Sequence, residues 1–204
     1  MKIVTYNIQF GCGRDGKVDL DRIVETVRGG DVIALQEVDR FWARSQMTDQ
    51  VEVLVDAFPG YDHAFGAGVD QATGGHGADG RPQRRQFGNL FLSREPIEYC
   101  RHHLLPKSAS IGPLSIQRSA LECAVTFSGT HIRFVNTHLT HLCSETRVPQ
   151  VQELLRGYLA KRKVDHKALD FGEPEKASGN TIRQTILIKQ GIARDLAQNV
   201  VKEV

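Results

Sequence analysis

Three polar residues, each at the end of an apolar run, are of types that could act on a phosphate ester. Asn7 ends the run KIVTYN, Glu37 follows VIALQ, and His138 follows IRFVNT. Phosphate esters resist hydrolysis because their negative oxygens repel a nucleophile, and a divalent cation with oxygen ligands is the common remedy. Mg²⁺ suits such a site because it takes few protein ligands and keeps several waters. Glu37 is therefore a candidate metal ligand, and His138 a candidate proton donor or phosphate contact.

Each of these residues also has a purely structural explanation. A lone carboxylate at a strand end is usually just solvated, Asn7 could satisfy a turn, and His138 could simply follow a strand. What favours a functional site is that Asn7 and Glu37 lie together, at matching ends of two adjoining predicted strands. His141 has no comparable positional reason, and we expect it at the surface.

A β-α-β unit is expected to bring Asn7 and Glu37 together. Residues 2–8 have a strand pattern, residues 19–28 have apolar positions at helical spacing, and residues 31–36 contain a continuously apolar strand. A right-handed crossover makes the two strands parallel, so residues at their carboxyl ends emerge at one edge of the sheet. Ligands bind at that edge in open α/β sheets.

The remaining pattern predicts a second helix, a long loop and further strands. Residues 48–58 fit a helix, and the Gly-rich residues 70–86, which carry Arg81, Arg84 and Arg85, are expected to form a loop. Further strands are predicted at residues 88–93, 97–103, 119–127 and 131–137, with Ser128 and Gly129 as a hairpin turn. Towards the C-terminus the pattern predicts a helix at residues 150–162, a strand at 181–189 and a helix at 194–203.

The composition is that of an ordinary globular chain, with 204 residues, 40% hydrophobic and 25% charged. Its apolar runs are far shorter than the roughly 20 residues of a membrane span, and the first residues lack the apolar core of a secretory signal. We therefore expect no membrane partner and a cytoplasmic location.

The net charge of +2 is too small to indicate a nucleic-acid partner by itself. The four cysteines form no C-x-x-C pair, which argues against a zinc or disulfide scaffold.

Five segments, in order, resemble the motifs of the endonuclease/exonuclease/phosphatase superfamily: TYNIQ, DVIALQEVDR, QFGNLFLSREPI, QRSAL and IRFVNTHLTHL. The resemblance covers residues 1–155. It implies an α/β fold, a partial four-layer α/β sandwich in which two packed β-sheets are flanked by helices. It also implies a requirement for Mg²⁺ or Mn²⁺ and hydrolysis of phosphodiester or phosphomonoester bonds, with DNA or RNA among the possible substrates.

The same resemblance implies roles for single residues. Glu37 matches the metal-ligand glutamate, Asn7 the asparagine that orients the metal site, and His138 the histidine that contacts the scissile phosphate. Asn89 resembles a position that lines the catalytic site, and an amide in a turn or at a strand end is the alternative explanation. Arg118 resembles a phosphate contact, and a plain surface arginine is its alternative.

The sequence also departs from this family. Complete members continue with a G-D-x-N motif and an S-D-H motif, and neither occurs here. Asp165-His166 and Asp170-Phe171-Gly172 are weak substitutes, because their order is reversed. Without those motifs general-base catalysis has no assigned residue, so we expect an incomplete domain with impaired turnover.

Residues 156–204 resemble part of the YajQ-type nucleotide-binding proteins, through the segments ASGNTIRQ and LIKQGI. This resemblance implies a C-terminal β-α appendage and an alternative function, a non-catalytic nucleotide or nucleic-acid binding protein. Three explanations of the junction stay open: a gene fusion, a sequencing or assembly chimera, or a decayed gene.

Overall fold

The computed structural model describes residues 1–107, 116–141, 144–159 and 185–189, with the backbone alone for 157–159 and 185–189. Along these ranges the strands are β1 (Ile3–Asn7), β2 (Val32–Arg40), β3 (Asp62–His76), β4 (Pro82–Ser93), β5 (Ile97–Leu104), β6 (Ser119–Phe127), β7 (Thr130–Thr137) and β8 (Thr185–Lys189). The α-helices are α1 (Leu20–Val27), α2 (Gln50–Asp56) and α3 (Ser144–Glu153). Short 3₁₀ turns lie at Gln9–Gly11 and Ala43–Ser45, and a π-helical segment, Leu154–Leu159, follows α3.

The first sheet has the strand order β1-β2-β4-β3. Strands β1 and β2 are parallel, which confirms the β-α-β unit predicted at the N-terminus. Helix α1 begins where the Asp19 side chain accepts a hydrogen bond from the backbone N–H of Arg22, the usual way to satisfy a free donor at a helix start. It ends just before Gly29, whose φ of +79° continues the chain in a left-handed conformation.

The second sheet has the order β5-β6-β7-β8 and is antiparallel throughout. Ser128 and Gly129 both have positive φ and connect β6 to β7 in a tight hairpin, as predicted. The predicted strand at residues 181–189 is confirmed for Thr185–Lys189, which pair with β7. The C-terminal segment therefore contributes a strand to this sheet.

The two sheets pack face to face, with helices on both outer sides. Phe91 of the first sheet and Phe134 of the second are fully buried between them, with ring centroids 5.4 Å apart. Helices α1 and α2 cover the other face of the first sheet through an apolar cluster that includes Val27 and Leu54. A third cluster, which includes Val135 and Leu154, buries the outer face of the second sheet beneath the α3 region. This helix-sheet-sheet-helix arrangement confirms the predicted α/β sandwich.

Three predicted elements need correction. Strand β2 continues to Arg40, so Glu37 lies within the strand, because β4 still pairs with β2 beyond that point. The predicted loop at residues 70–86 is mostly the end of β3 and the start of β4, which pair as a hairpin. Helix α3 starts at Ser144, six residues before the predicted start, with Pro149 inside it.

Several predictions fall outside the described residues. They are the helix at residues 194–203, the end of the helix at 150–162 and the two substitute motifs at Asp165 and Asp170.

In the described ranges, no helix is both long and apolar enough to cross a bilayer. The cytoplasmic location stays a prediction.

Candidate active site

A β-bulge in β2 sets the position of Glu37. Leu35 pairs with Leu90 and Val38 with Gly88, so Gln36 and Glu37 both lie opposite the single residue Asn89 of β4. Glu37 has a φ of +61°, a conformation that costs a non-glycine residue about 1–2 kcal/mol. The bulge turns the Glu37 side chain out of the normal strand alternation and towards the edge of the sheet, as bulges near active sites often do.

Asn7 fixes one oxygen of Glu37. The Asn7 Nδ2 group donates to Glu37 Oε1 at 3.1 Å, and Asn7 Oδ1 accepts from the backbone N–H of Gln9 at 3.0 Å. Both ends of the amide are therefore used, which orients it. The predicted meeting of Asn7 and Glu37 at one sheet edge is confirmed.

Arg118 and His138 reach the same place from the second sheet. Arg118 immediately precedes β6 and His138 immediately follows β7, and their exposed fractions are 5% and 7%. Arg118 NH1 lies 2.9 Å from His138 Nδ1, and Glu37 Oε1 lies 3.3 Å from the same nitrogen. The alternative of a surface arginine at position 118 is thus wrong, because the turn into β6 carries this side chain into the interior.

The two contacts at His138 Nδ1 cannot both be hydrogen bonds in one tautomer. A guanidinium can only donate, and its contact is the shorter, so we assign Nδ1 as the acceptor of the Arg118 hydrogen. The remaining ring nitrogen, Nε2, then carries the imidazole proton. Glu37 is held beside the ring by Asn7.

Burial governs the charges at this site. It lowers the pKa of His138 to about 3, and the positive charge of Arg118 acts in the same direction. The Glu37 carboxylate, 3.3 Å away, favours the protonated ring, but burial and the Arg118 charge outweigh it, so the imidazole is neutral near pH 7. Burial also lowers the pKa of Arg118, whereas the Glu37 charge raises it. Arg118 Nε is buried without a hydrogen-bond partner among the described residues.

Asn89 joins the two sheets beneath the site. Its exposed fraction is 3%, and its Nδ2 group donates to the backbone oxygens of Ser119 at 3.1 Å and Asn136 at 3.3 Å. The amide nitrogen is therefore used to hold β6 and β7 against β4. The structure places Asn89 in the wall of the site, and its catalytic role stays a prediction.

A small open cleft lies between these groups. It is lined by Glu37, Gly68, Phe87, Gly88, Asn89, Gln117, Arg118, Ser119 and His138. Four of the five predicted site residues line it, and the fifth, Asn7, contacts Glu37. Sequence reasoning missed Phe87 and Gln117 as wall residues, although both lie in the segments that carry the superfamily resemblance. His141 is exposed, as predicted.

The cleft offers few carboxylates as metal ligands. Within the described ranges, no group of three or more His, Cys, Asp and Glu side chains lies close enough together to hold a metal ion. A cation at Glu37 would thus have one carboxylate and otherwise amide oxygen, water or substrate oxygen. That is compatible with Mg²⁺, which commonly binds through one or two carboxylates plus substrate phosphate, and less so with Zn²⁺.

Solved structures of the superfamily share this fold. An endonuclease/exonuclease/phosphatase from Beutenbergia cavernae superposes with a TM-score of 0.59 at 25% identity, over 74% of this chain and 42% of that one. A family protein from Leptotrichia buccalis superposes with a TM-score of 0.51 at 19% identity, over 76% of this chain and 62% of that one. The predicted resemblance to this superfamily is confirmed.

The C-terminal part is similar to a different group of proteins. The family model described as nucleotide-binding protein YajQ-like matches residues 127–204. A nucleotide-binding protein of Rhodospirillum centenum is 45% identical over 64 residues, 31% of this chain and 40% of the relative. One from Syntrophotalea carbinolica is 39% identical over 79 residues, 37% of this chain and 49% of the relative. The chain therefore spans less than half the length of these relatives. The second predicted resemblance is also confirmed, and the domain boundary at residue 155 stays a prediction.

Proposed function

We propose that this chain is a phosphoesterase module that binds Mg²⁺ or Mn²⁺ and a phosphate ester beside Glu37. The observation that carries the proposal is the contact network at one sheet edge, in which Asn7 bonds to Glu37 and Arg118 bonds to His138 next to the same carboxylate. These residues lie far apart in the sequence. The likeness to superfamily structures supports the same assignment.

Glu37 is the residue that would hold the cation. Its carboxylate is a hard oxygen donor, which Mg²⁺ and Mn²⁺ prefer, and Asn7 keeps it in place through Oε1. When bound, the cation supplies Lewis-acid polarisation of a phosphoryl oxygen. The strained backbone at Glu37 supports a functional role, because strain of this kind persists where the surroundings enforce it.

Arg118 and His138 would hold the phosphate. Arg118 is a buried cation whose Nε has no partner among the described residues, so it can donate to an anion in the cleft. His138 accepts through Nδ1 and keeps its proton on Nε2, so it is suited to donate a hydrogen bond to a phosphate oxygen. Buried hydrogen-bond donors of this kind, one of them the Arg118 cation, stabilise charge that develops during phosphoryl transfer.

Activation of the attacking water is the step of hydrolysis that this site supports least. Of the described residues that line the cleft, Glu37 is the one carboxylate, and it is assigned to the cation. His138 Nδ1 already accepts a hydrogen from Arg118, which leaves it poorly placed as a base. General-base catalysis typically contributes about 10²- to 10⁴-fold, so we expect slow turnover.

The test compares the wild-type chain with Glu37→Gln and with Glu25→Gln, an exposed glutamate of α1 that pairs with Arg28. Each protein is incubated with Mg²⁺ and a single-stranded oligonucleotide or p-nitrophenyl phosphate. We expect hydrolysis by wild type and Glu25→Gln, which EDTA abolishes, and none by Glu37→Gln. Hydrolysis that survives in Glu37→Gln contradicts the proposal.

A second candidate function is nucleotide or nucleic-acid binding without hydrolysis. The match of residues 127–204 to a nucleotide-binding family favours it. Calorimetry with ATP and with single-stranded RNA separates the two candidates. Binding that is unchanged in Glu37→Gln, with no metal-dependent hydrolysis, supports the second candidate over the first.

A further inference from the structure

Arg44 is the centre of an aromatic cluster next to the cleft. Its guanidinium carbon lies 4.5 Å from the ring centroid of Phe10, 4.9 Å from Trp42 and 5.0 Å from Phe87. These distances are within the range of cation–π attraction. Phe87 also lines the cleft, so the aromatic cluster and the candidate active site share a wall.

A buried carboxylate fixes this arginine. Asp39 is fully buried and accepts from Arg44 Nε at 2.9 Å and from Arg44 NH2 at 2.8 Å. Ser45 Oγ donates to the same carboxylate at 2.9 Å. The paired geometry holds the guanidinium plane rigidly, while 36% of the Arg44 side chain stays exposed.

Trp42 and Arg85 extend the cluster away from the cleft. The Arg85 guanidinium carbon lies 4.6 Å from the Trp42 ring centroid. Trp42 Nε1 donates to the backbone oxygen of Gln86 at 2.7 Å, which anchors the indole to β4. Arg85 donates to the amide oxygen of Gln71 at 2.9 and 3.1 Å, an uncharged partner that does not neutralise it. Both Trp42 and Arg85 are half-buried, so each keeps an exposed surface.

The alternation of β4 aligns these groups with the cleft. Asn89, Phe87 and Arg85 are two residues apart in a regular strand and therefore lie on one face. Along this face, Asn89 in the wall of the cleft is followed by Phe87 of the aromatic cluster and then by Arg85, which stacks on Trp42. Arg84 points to the opposite face, where its Nε donates to Asp70 at 2.7 Å.

We propose that the Arg85 guanidinium, which lies over the Trp42 ring, offers its outer face as a stacking surface for a base of a nucleic-acid strand whose phosphate lies in the cleft. The inference rests on the proposed function and names its substrate class as single-stranded nucleic acid. Bases stack on aromatic rings and on arginine planes with little sequence preference, and a neighbouring positive charge attracts the backbone. A sugar phosphate or an inositol phosphate has no planar group to use this surface.

The experiment measures binding of a short fluorescein-labelled single-stranded oligonucleotide and of an abasic strand of equal length, by anisotropy in EDTA. EDTA removes metal-dependent hydrolysis, and the abasic strand keeps the phosphates without the bases. We expect the wild-type chain to bind the strand with bases roughly 5- to 100-fold more tightly, from the usual strength of base stacking. Trp42 is the one tryptophan of the chain, so its own emission, measured with the unlabelled strands, should change on binding bases and not on binding the abasic strand.

Arg85→Lys is the informative variant because lysine keeps the charge and loses the planar stack. It should remove most of the preference for bases and leave binding of the abasic strand unchanged. Arg84→Lys is the matched control on the opposite face and should leave both affinities unchanged. The inference is wrong if wild type binds both strands equally or binds neither, if Trp42 emission is constant at saturation, or if both variants behave alike.

These outcomes are distinct from a failure of the proposed activity. An enzyme that depends on Mg²⁺ and Glu37 but shows no preference for bases contradicts only the stacking surface. A base-dependent binder without metal-dependent hydrolysis contradicts the catalytic proposal and leaves the surface as a binding site.

Discussion

The Glu37 carboxylate contacts Asn7 and His138 from a left-handed backbone, a conformation that non-glycine residues rarely adopt. The bulge that enforces it comes from pairing with β4, about fifty residues further along the chain.

At the residue scale, we predict that Asp39→Ala destabilises the chain by about 2–4 kcal/mol, since removing one partner of a buried ion pair leaves the other uncompensated. Arg44 is partly exposed and can reach water, which keeps the loss below that of a fully buried pair. Urea unfolding measures the change. The control is Asp15→Ala, whose pair with Arg22 is solvent-exposed, and which should have little effect. Similar small losses in both variants would contradict the prediction.

At the scale of elements, the hairpin of β3 and β4 replaces the loop predicted at residues 70–86. The two strands approach very closely beside the cleft. A Cβ atom at Gly88 would lie 2.0 Å from the backbone oxygen of Gly66 and 2.8 Å from Ala67 Cα. Only glycine fits at that position, so these residues fix the register of the hairpin and, with it, the places of Phe87 and Arg85.

We therefore predict that Gly88→Ala lowers the free energy of unfolding by about 1–3 kcal/mol, the usual cost of forcing extra volume into a packed region. The clash is with backbone, which cannot rotate away. Gly75→Ala in the same hairpin is the control, because its nearest neighbour is Thr73 Oγ1 at 3.7 Å. Chemical denaturation of both variants tests this, and equal midpoints would show that the strands can separate without cost.

At the scale of the whole molecule, the C-terminal segment is joined to the sandwich through β8. Its residues Thr185–Lys189 pair with β7 from Asn136 to Ile132, so the second sheet contains a strand from the nucleotide-binding-like part of the chain. The position protects the edge of β7, and an unprotected edge strand is a site of self-association.

Proline substitutions at neighbouring positions of β8 test this pairing. In an antiparallel edge strand, backbone N–H groups alternate between the partner strand and solvent, so one of Leu187→Pro and Ile188→Pro should remove a ladder hydrogen bond. We expect that variant to melt at lower temperature and to lose amide exchange protection in β7, while the other changes less. If both variants melt like wild type, β8 does not stabilise the sheet.

The sequence by itself determined the β-α-β unit, the Ser128-Gly129 hairpin, strands β6 and β7, and the candidates Asn7, Glu37 and His138, because each depends on local periodicity or on the end of a short apolar run. The tertiary structure alone decided the bulge at Glu37, the burial of Arg118 beside His138, the stack of Arg85 on Trp42 and the place of β8. Each of these depends on pairing or packing between segments that are distant in sequence, and no local pattern contains that information.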